Sequence, residues 1–261
     1  MREFTAEYLT ATREGMWADC REALGPLGLE QCECALDVGA GTGELTRVLR
    51  EESPGEVVAV DVDAGLLAHT GRPSVVGDAV RLPFADDSVD LVACQALLVN
   101  LPDPERVVRE LARVAGERVA VIEPDNSAVT VDSTVEAESP LARRARDLYL
   151  AGVETDASFG AARGLFERVG LSDIAVRQYD HERTVDPPYT ERDIESARRK
   201  ASGEGLSGDR PEMLAGGATP EEFDDLRTEW RAMGREVVAQ MQEGEYRHRE
   251  TVPFFVTVGR V

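Results

Sequence analysis

Two groups of residues could do chemistry in this chain. Gly39, Gly41 and Gly43 crowd into five positions after the apolar run 35–38, and Asp61 closes a second apolar run, 57–60. Glycine has no Cβ, so a backbone rich in it can turn tightly and let a ligand come close. A carboxylate at the carboxyl end of a strand can accept both hydroxyls of a ribose. Its distance from the glycines suits a nucleoside bridging two strand ends. The plainer alternative is that the glycines only make a turn and Asp61 only caps a helix. Asp78, in Gly77-Asp78-Ala79 after the run 74–76, repeats the arrangement and could accept the exocyclic amine of a base, or form an ordinary Asx turn.

These residues must be held by strands and helices in alternation. Runs 35–38, 57–60, 74–76, 89–93 and 118–122 read as buried strands. Between them, 44–51 reads as a helix whose first N–H groups point back at the glycine turn, 64–69 as a short helix, and a helix opens at Pro104 with Val107, Val108, Leu111 and Val114 on one face. Such alternation predicts an α/β domain with a parallel sheet built from right-handed crossovers. Ligands of such sheets lie outside the carboxyl ends of the strands, where Asp61, Asp78, Cys94 and Gln95 stand.

Leu-Asp-Val-Gly-Ala-Gly-Thr-Gly from Leu36, Val-Asp-Val-Asp from Val60, Gly-Asp-Ala from Gly77, Leu-Pro-Phe-Ala-Asp-Asp-Ser-Val-Asp-Leu-Val from Leu82 and Leu-Pro-Asp-Pro from Leu101 together resemble the class I S-adenosylmethionine-dependent methyltransferases. The branch most similar is that of the ubiquinone and menaquinone C-methyltransferases. The resemblance covers 35–125 and extends more weakly to Glu123-Pro124-Asp125 and the segment 164–171. It implies a Rossmann-like, doubly wound, mostly parallel seven-stranded sheet with an antiparallel last strand, and S-adenosyl-L-methionine as cofactor. By the same resemblance Gly39, Ala40, Gly41 and Gly43 line the methionine portion and Asp37 orients the turn. Asp61 binds the ribose with Val62 beside the adenine, Asp78 and Ala79 meet the adenine edge, and Cys94 and Gln95 lie near the sulfonium. Related sequences often carry His near the position of Val99 or Asn100; its absence here leaves the catalytic base unassigned.

A nicotinamide dehydrogenase is the rival reading of the same turn. That fingerprint wants a third glycine where this chain has Glu44, and a carboxylate there would repel a pyrophosphate at the helix N-terminus. A zwitterionic sulfonium meets no such objection.

Composition narrows the partners. The formal net charge is −21, which argues against a nucleic-acid-binding face. Lys200 is the only lysine beside many arginines, and an acidic, lysine-poor surface resembles that of proteins from a high-salt cytoplasm. No apolar run approaches the roughly 20 residues that span a bilayer, and no secretory signal opens the chain, so a cytoplasmic enzyme is expected. Four cysteines make no disulfide framework, and the Cys32–Cys34 spacing is poor for zinc, so no metal is expected.

Outside the motifs the pattern loosens. Residues 3–24 read as a helix carrying Tyr8 and Arg13, so 1–30 is a helical segment that either folds over the ligand mouth or simply packs. Residues 141–150 and 161–169 read as helices, 174–179 and 252–258 as the last two strands. Thr219-Pro220-Glu221-Glu222 has capping-box spacing and opens a helix with Phe223, Leu226, Trp230, Met233, Val237 and Met241 on one face. The cofactor domain is expected over 31–185 and 251–261, and 186–250 is a helical insertion whose apolar face docks on the domain, forms a lid wall, or makes a homodimer seam. His181, Tyr246 and His248 are possible substrate-side groups, more simply surface or packing residues. The expected activity is in-line methyl transfer to a small molecule. The alternatives are an RNA or protein methyltransferase, or a non-catalytic cofactor-binding homologue.

Overall fold

Every apolar run of 35–122 becomes a strand: β1 (Cys34–Val38), β2 (Glu56–Asp61), β3 (Ser74–Val76), β4 (Val89–Gln95) and β5 (Ala115–Pro124), following an N-terminal helix α1 (Ala6–Arg13). The computed structural model describes residues 5–13, 15–18, 20–155 and 162–261. Two compact units divide the chain: Met1–Pro124 with Phe159–Tyr179 and Phe254–Val261, and Asp125–Ser158 with Asp180–Pro253.

In the first unit the strands lie in the order β3-β2-β1-β4-β5, all parallel. The end of a later strand, β8 (His248–Arg260), adds antiparallel to β5, with Val258 opposite Ala120. The helices between the strands are α2 (Glu44–Glu52), α3 (Ala64–Leu67) and α4 (Pro104–Val114). Helix α4 starts where Asp103 accepts the Arg106 N–H and Pro104 needs no partner, and it buries Val107, Val108, Leu111 and Val114. These pack on Leu36, Val38, Val58, Val60, Val92 and Cys94. At roughly 1.5–3 kcal/mol per buried side chain, that face outweighs the marginal stability of an isolated helix of this length.

In the second unit the chain forms β6 (Thr130–Ser133), which pairs antiparallel with residues 248–251 of β8, and α5 (Glu138–Gly152). Helix α6 (Arg163–Val169) and the start of β7 (Ser172–Val185), which pairs β8, belong to the first unit; the second resumes at Asp180 and continues with α7 (Glu191–Ser202), α8 (Glu204–Ser207), α9 (Arg210–Ala215) and α10 (Pro220–Glu243). Helix α10 opens with the expected capping box between Thr219 and Glu222. Phe223, Leu226, Met233 and Val237 of its apolar face are buried with Met213 of α9, Ala197 of α7, and Leu141 and Ala145 of α5. The face is thus filled from within its own unit.

Three expectations need correction. Among the described residues the sheet has eight strands, one more than the resemblance implies. The addition is β6, a short polar stretch that only its pairing with β8 defines. The helix expected over 3–24 is two pieces, α1 and a 3₁₀ segment Arg21–Leu27, and Gly15 takes a left-handed φ of 74° between them; residues 3, 4, 14 and 19 lie outside the described residues. The stretch 191–202, read as part of a polar excursion, is the capped helix α7.

Candidate active site

The strand order reverses between β1 and β4, and a doubly wound sheet opens its ligand crevice at the carboxyl ends there. β1 ends at Val38 and runs into the glycine turn. Gly39, Gly41 and Gly43 adopt φ of 72°, 55° and 88°, a region that side chains resist. The turn is tied to β2: the N–H groups of Gly39 and Ala40 both donate to the Val60 carbonyl, at 2.8 and 3.0 Å. Asp37, buried at the end of β1, accepts the Thr46 hydroxyl at 2.5 Å and so anchors the first turn of α2. Burial pushes its carboxyl up to about 6, against the pull of the Thr46 hydrogen bond.

Asp61 is 8% exposed. Its Oδ2 accepts the Gly41 N–H at 2.8 Å and its Oδ1 the Asp63 N–H at 2.9 Å. A carboxylate oxygen has about two acceptor positions, so one on each oxygen is left after these bonds. The glycine turn and the acid are thus joined by a hydrogen bond, which the sequence spacing alone did not show. Val62 beside it is 58% exposed, an apolar side chain standing in solvent at the crevice. Asp78 is exposed and closes an Asx turn on the Val80 N–H at 3.0 Å; Ala79 is half-buried against the core.

Cys94, expected near the sulfonium, does not turn its side chain to the crevice. It is fully buried in the core with Val38 and Val60, and burial pushes its thiol well up. Successive strand residues face opposite ways, and position 94 points to the α4 side of the sheet. Gln95 lies on the other face, buried, where its Oε1 accepts the Trp17 Nε1–H at 3.2 Å and its amide meets the Met16 sulfur.

Sequence reasoning passed over Glu123. Fully buried at the end of β5, its carboxylate accepts three backbone N–H groups, from Leu97 at 3.0 Å, Leu98 at 2.8 Å and Val99 at 3.3 Å. Burial raises it to about 7, with those N–H groups pulling the other way. Glu123 therefore fixes the loop after β4, where Ala96 takes a φ of 47° and Leu97 approaches Gly39 so closely that a Cβ there would lie 2.8 Å from its Cδ1. The signal was available: Glu123 ends an apolar strand just as Asp61 does.

Of the three possible substrate-side groups, Tyr246 and His248 come together in the second unit. The Tyr246 hydroxyl donates to Glu138 at 2.9 Å and His248 Nδ1 lies 3.3 Å from it. The Ser133 hydroxyl and Lys200 also bind that carboxylate. His181 is buried in the same unit, apart from this network in sequence. A cleft of about 530 Å³ is lined by Gly28, Arg118 and Gly259 at the opposite, amino-terminal ends of the strands, away from the crevice.

Residues 36–121 match the family model described as a methyltransferase domain. This stretch is similar to a methyltransferase domain. Among curated proteins, a demethylmenaquinone methyltransferase of Mycolicibacterium paratuberculosis is 41% identical over 102 residues, 37% of this chain and 44% of that protein. One of Corynebacterium efficiens is 36% identical over 138 residues, 51% of this chain and 59% of that protein. The chain thus spans about half the length of these relatives. A candidate methyltransferase of Bacillus halodurans shares the fold, with a TM-score of 0.52, 14% identity, and coverage of 93% of this chain and 98% of that one.

Proposed function

We propose that the chain is an S-adenosylmethionine-dependent methyltransferase acting on a small molecule. The observation that carries this reading is Asp61: a buried carboxylate bonded to the glycine turn, with one acceptor position left on each oxygen, beside an exposed Val62. That set fits a ribose and an adenine face. Glu44 opens α2 where a pyrophosphate would sit, which disfavours a dinucleotide.

When bound, the cofactor supplies a sulfonium methyl open to in-line attack by an acceptor nucleophile. The chain's own part is positional. Asp61 would take the ribose hydroxyls, Val62 the adenine, Asp78 and Ala79 the adenine edge, and the turn 39–43 the methionine portion. Glu123 would fix the loop 96–100 and Gln95 would hold Trp17. Holding donor and acceptor in line and free of water can supply much of the rate, up to ~7–11 kcal/mol.

The names of the curated relatives, demethylmenaquinone methyltransferases, support a quinone as the acceptor class. The acidic composition disfavours RNA and supports a cytoplasm of high ionic strength as the working medium. The described residues contain no helix long and apolar enough to cross a membrane. The test is methyl incorporation from labelled cofactor into a cell extract, run in molar potassium chloride and fractionated into small molecules, RNA and protein. Label in the lipid-soluble small-molecule fraction supports the reading. Label confined to RNA or protein overturns the acceptor, and no incorporation beside tight cofactor binding would leave a non-catalytic binder.

A further inference from the structure

Three aromatic rings of the first unit stand together at the far end of the crevice from Asp61. Trp17 and Tyr179 have ring centroids 5.0 Å apart, and Tyr179 stacks on Phe254 at 5.5 Å. Trp17 bonds Gln95 at the carboxyl end of β4, and Phe254 stands opposite Pro124 at the carboxyl end of β5. All three are buried, and the Tyr179 hydroxyl has no hydrogen-bond partner among the described residues. A native chain seldom leaves such a group, because burying a hydroxyl with nothing to bond costs stability.

The hydroxyl lies near the crevice. Burial pushes the phenol well up, and the Arg13 charge that acts on Asp37 and Glu123 acts on it too. Arg13 lies against the glycine turn: a Cβ built on Gly41 would stand 3.6 Å from its Nη1 and 3.0 Å from Leu9 Cδ1. The strand order gives this end a use. A donor seated between Asp61 of β2 and the turn after β1 leaves the ends of β4, β5 and β8 for the acceptor, and in-line transfer requires the two to meet there. Those ends offer apolar ring surface and a hydroxyl with its proton to give, a combination that suits an aromatic ring bearing an oxygen.

We propose that Tyr179 positions the methyl acceptor, its hydroxyl donating a hydrogen bond to an oxygen on the acceptor's ring while Phe254 stays stacked behind it. The neighbouring Trp17 ring turns aside to uncover the hydroxyl, a rotamer change of the kind that binding commonly brings. This rests on the methyltransferase reading above and deepens it by giving the acceptor a polar partner. A ring without oxygen then has no use for the hydroxyl, and the ligand-free chain has none either.

The experiment sets Tyr179→Phe beside wild type, both as full chains saturated with S-adenosylhomocysteine. Equilibrium dialysis reads the binding of 1-naphthol and of naphthalene, the same ring without oxygen. The variant is expected to weaken 1-naphthol by about fivefold and naphthalene by less than about twofold, the scale of one neutral hydrogen bond. Without ligands its urea midpoint is expected to match or exceed that of wild type, since the lost hydroxyl bonds nothing. Equal weakening of both probes, or weakening of neither, would overturn the assignment. So would a lower midpoint or a variant that does not fold, because either would show the hydroxyl already partnered. A wild-type chain that binds S-adenosylhomocysteine but neither ring would also overturn it. A wild-type chain that does not bind S-adenosylhomocysteine would instead overturn the methyltransferase reading itself.

Discussion

Replacing Asp61 by alanine tests the cofactor reading at its centre. Two effects follow from its contacts, and they separate. The first is structural: the N–H groups of Gly41 and Asp63 lose their acceptor. An unsatisfied buried donor costs ~1–3 kcal/mol, and water reaches this edge, so a loss of stability of about 1–2 kcal/mol is expected. The second is in binding. A hydrogen bond to a charged group is worth ~1.5–3 kcal/mol, and part of that is regained from water in the empty crevice. For two ribose hydroxyls the net loss is on the order of 1.4–3 kcal/mol, roughly tenfold to 150-fold in Kd. Asp61→Asn keeps one acceptor oxygen and the side-chain shape, so it should fall between wild type and Asp61→Ala. Titration calorimetry with S-adenosylhomocysteine, beside urea unfolding at the same salt, reads both effects. A folded Asp61→Ala whose Kd stays within about twofold of wild type would refute the role of Asp61 as the ribose acceptor.

Three further outcomes are expected. The native carboxyl of Glu123 stands at about 7 against an ordinary 4.5, so its protonated form is the one folding favours. That contribution is complete below pH 4.5 and lost as pH rises through 7, on the order of 3 kcal/mol in all. Glu123→Gln should therefore lose less stability than wild type between pH 5 and 8 in urea midpoints; identical pH slopes would contradict it. Burial acts to raise the Glu138 carboxyl, but His248 and Lys200 together hold it well below the ordinary range. Lys200→Met should destabilise the fold by roughly 2–4 kcal/mol, somewhat under a fully broken buried pair because the hydroxyls remain. Adding Glu138→Gln should recover part of that loss, and simple additivity in the double variant would show the pair uncoupled. Gly43→Ala should cost ~1–3 kcal/mol in urea unfolding, because its φ is 88° and a Cβ would lie 3.0 Å from the Thr70 Cα; a neutral change would show that the turn can re-form without the left-handed residue.

Most of the crevice was legible because its determinants are local. Each strand of 35–122 is built on a mostly apolar run, and the first three runs end in a residue type that announces itself: glycine at 39, aspartate at 61, glycine and aspartate at 77 and 78. What escaped depends on long-range pairing. Strand β6 is a polar tetrapeptide defined by residues about 120 positions away in β8, and nothing in its own pattern marks it. The Glu138 network joins residues 62 and 108 positions apart, so Tyr246 and His248 were visible singly and their common partner was not. The side-chain direction of Cys94 escaped for a simpler reason. Standing at the tip of a strand fixes the backbone of a residue, and the alternation of side chains then decides which face it serves. Glu123 shows the reverse: the logic applied to Asp61 was sufficient, and it was not carried to the next strand end.

The most direct test is a crystal structure of the full chain with S-adenosylhomocysteine. The expected result places the two ribose hydroxyls within hydrogen-bond reach of Asp61 Oδ1 and Oδ2, Val62 against the adenine, and the amino-acid tail along 39–43. A nucleoside bound elsewhere, for instance in the cleft at Gly28 and Arg118, with Leu9 and Leu97 still closed over Gly41 and Gly39, would contradict it.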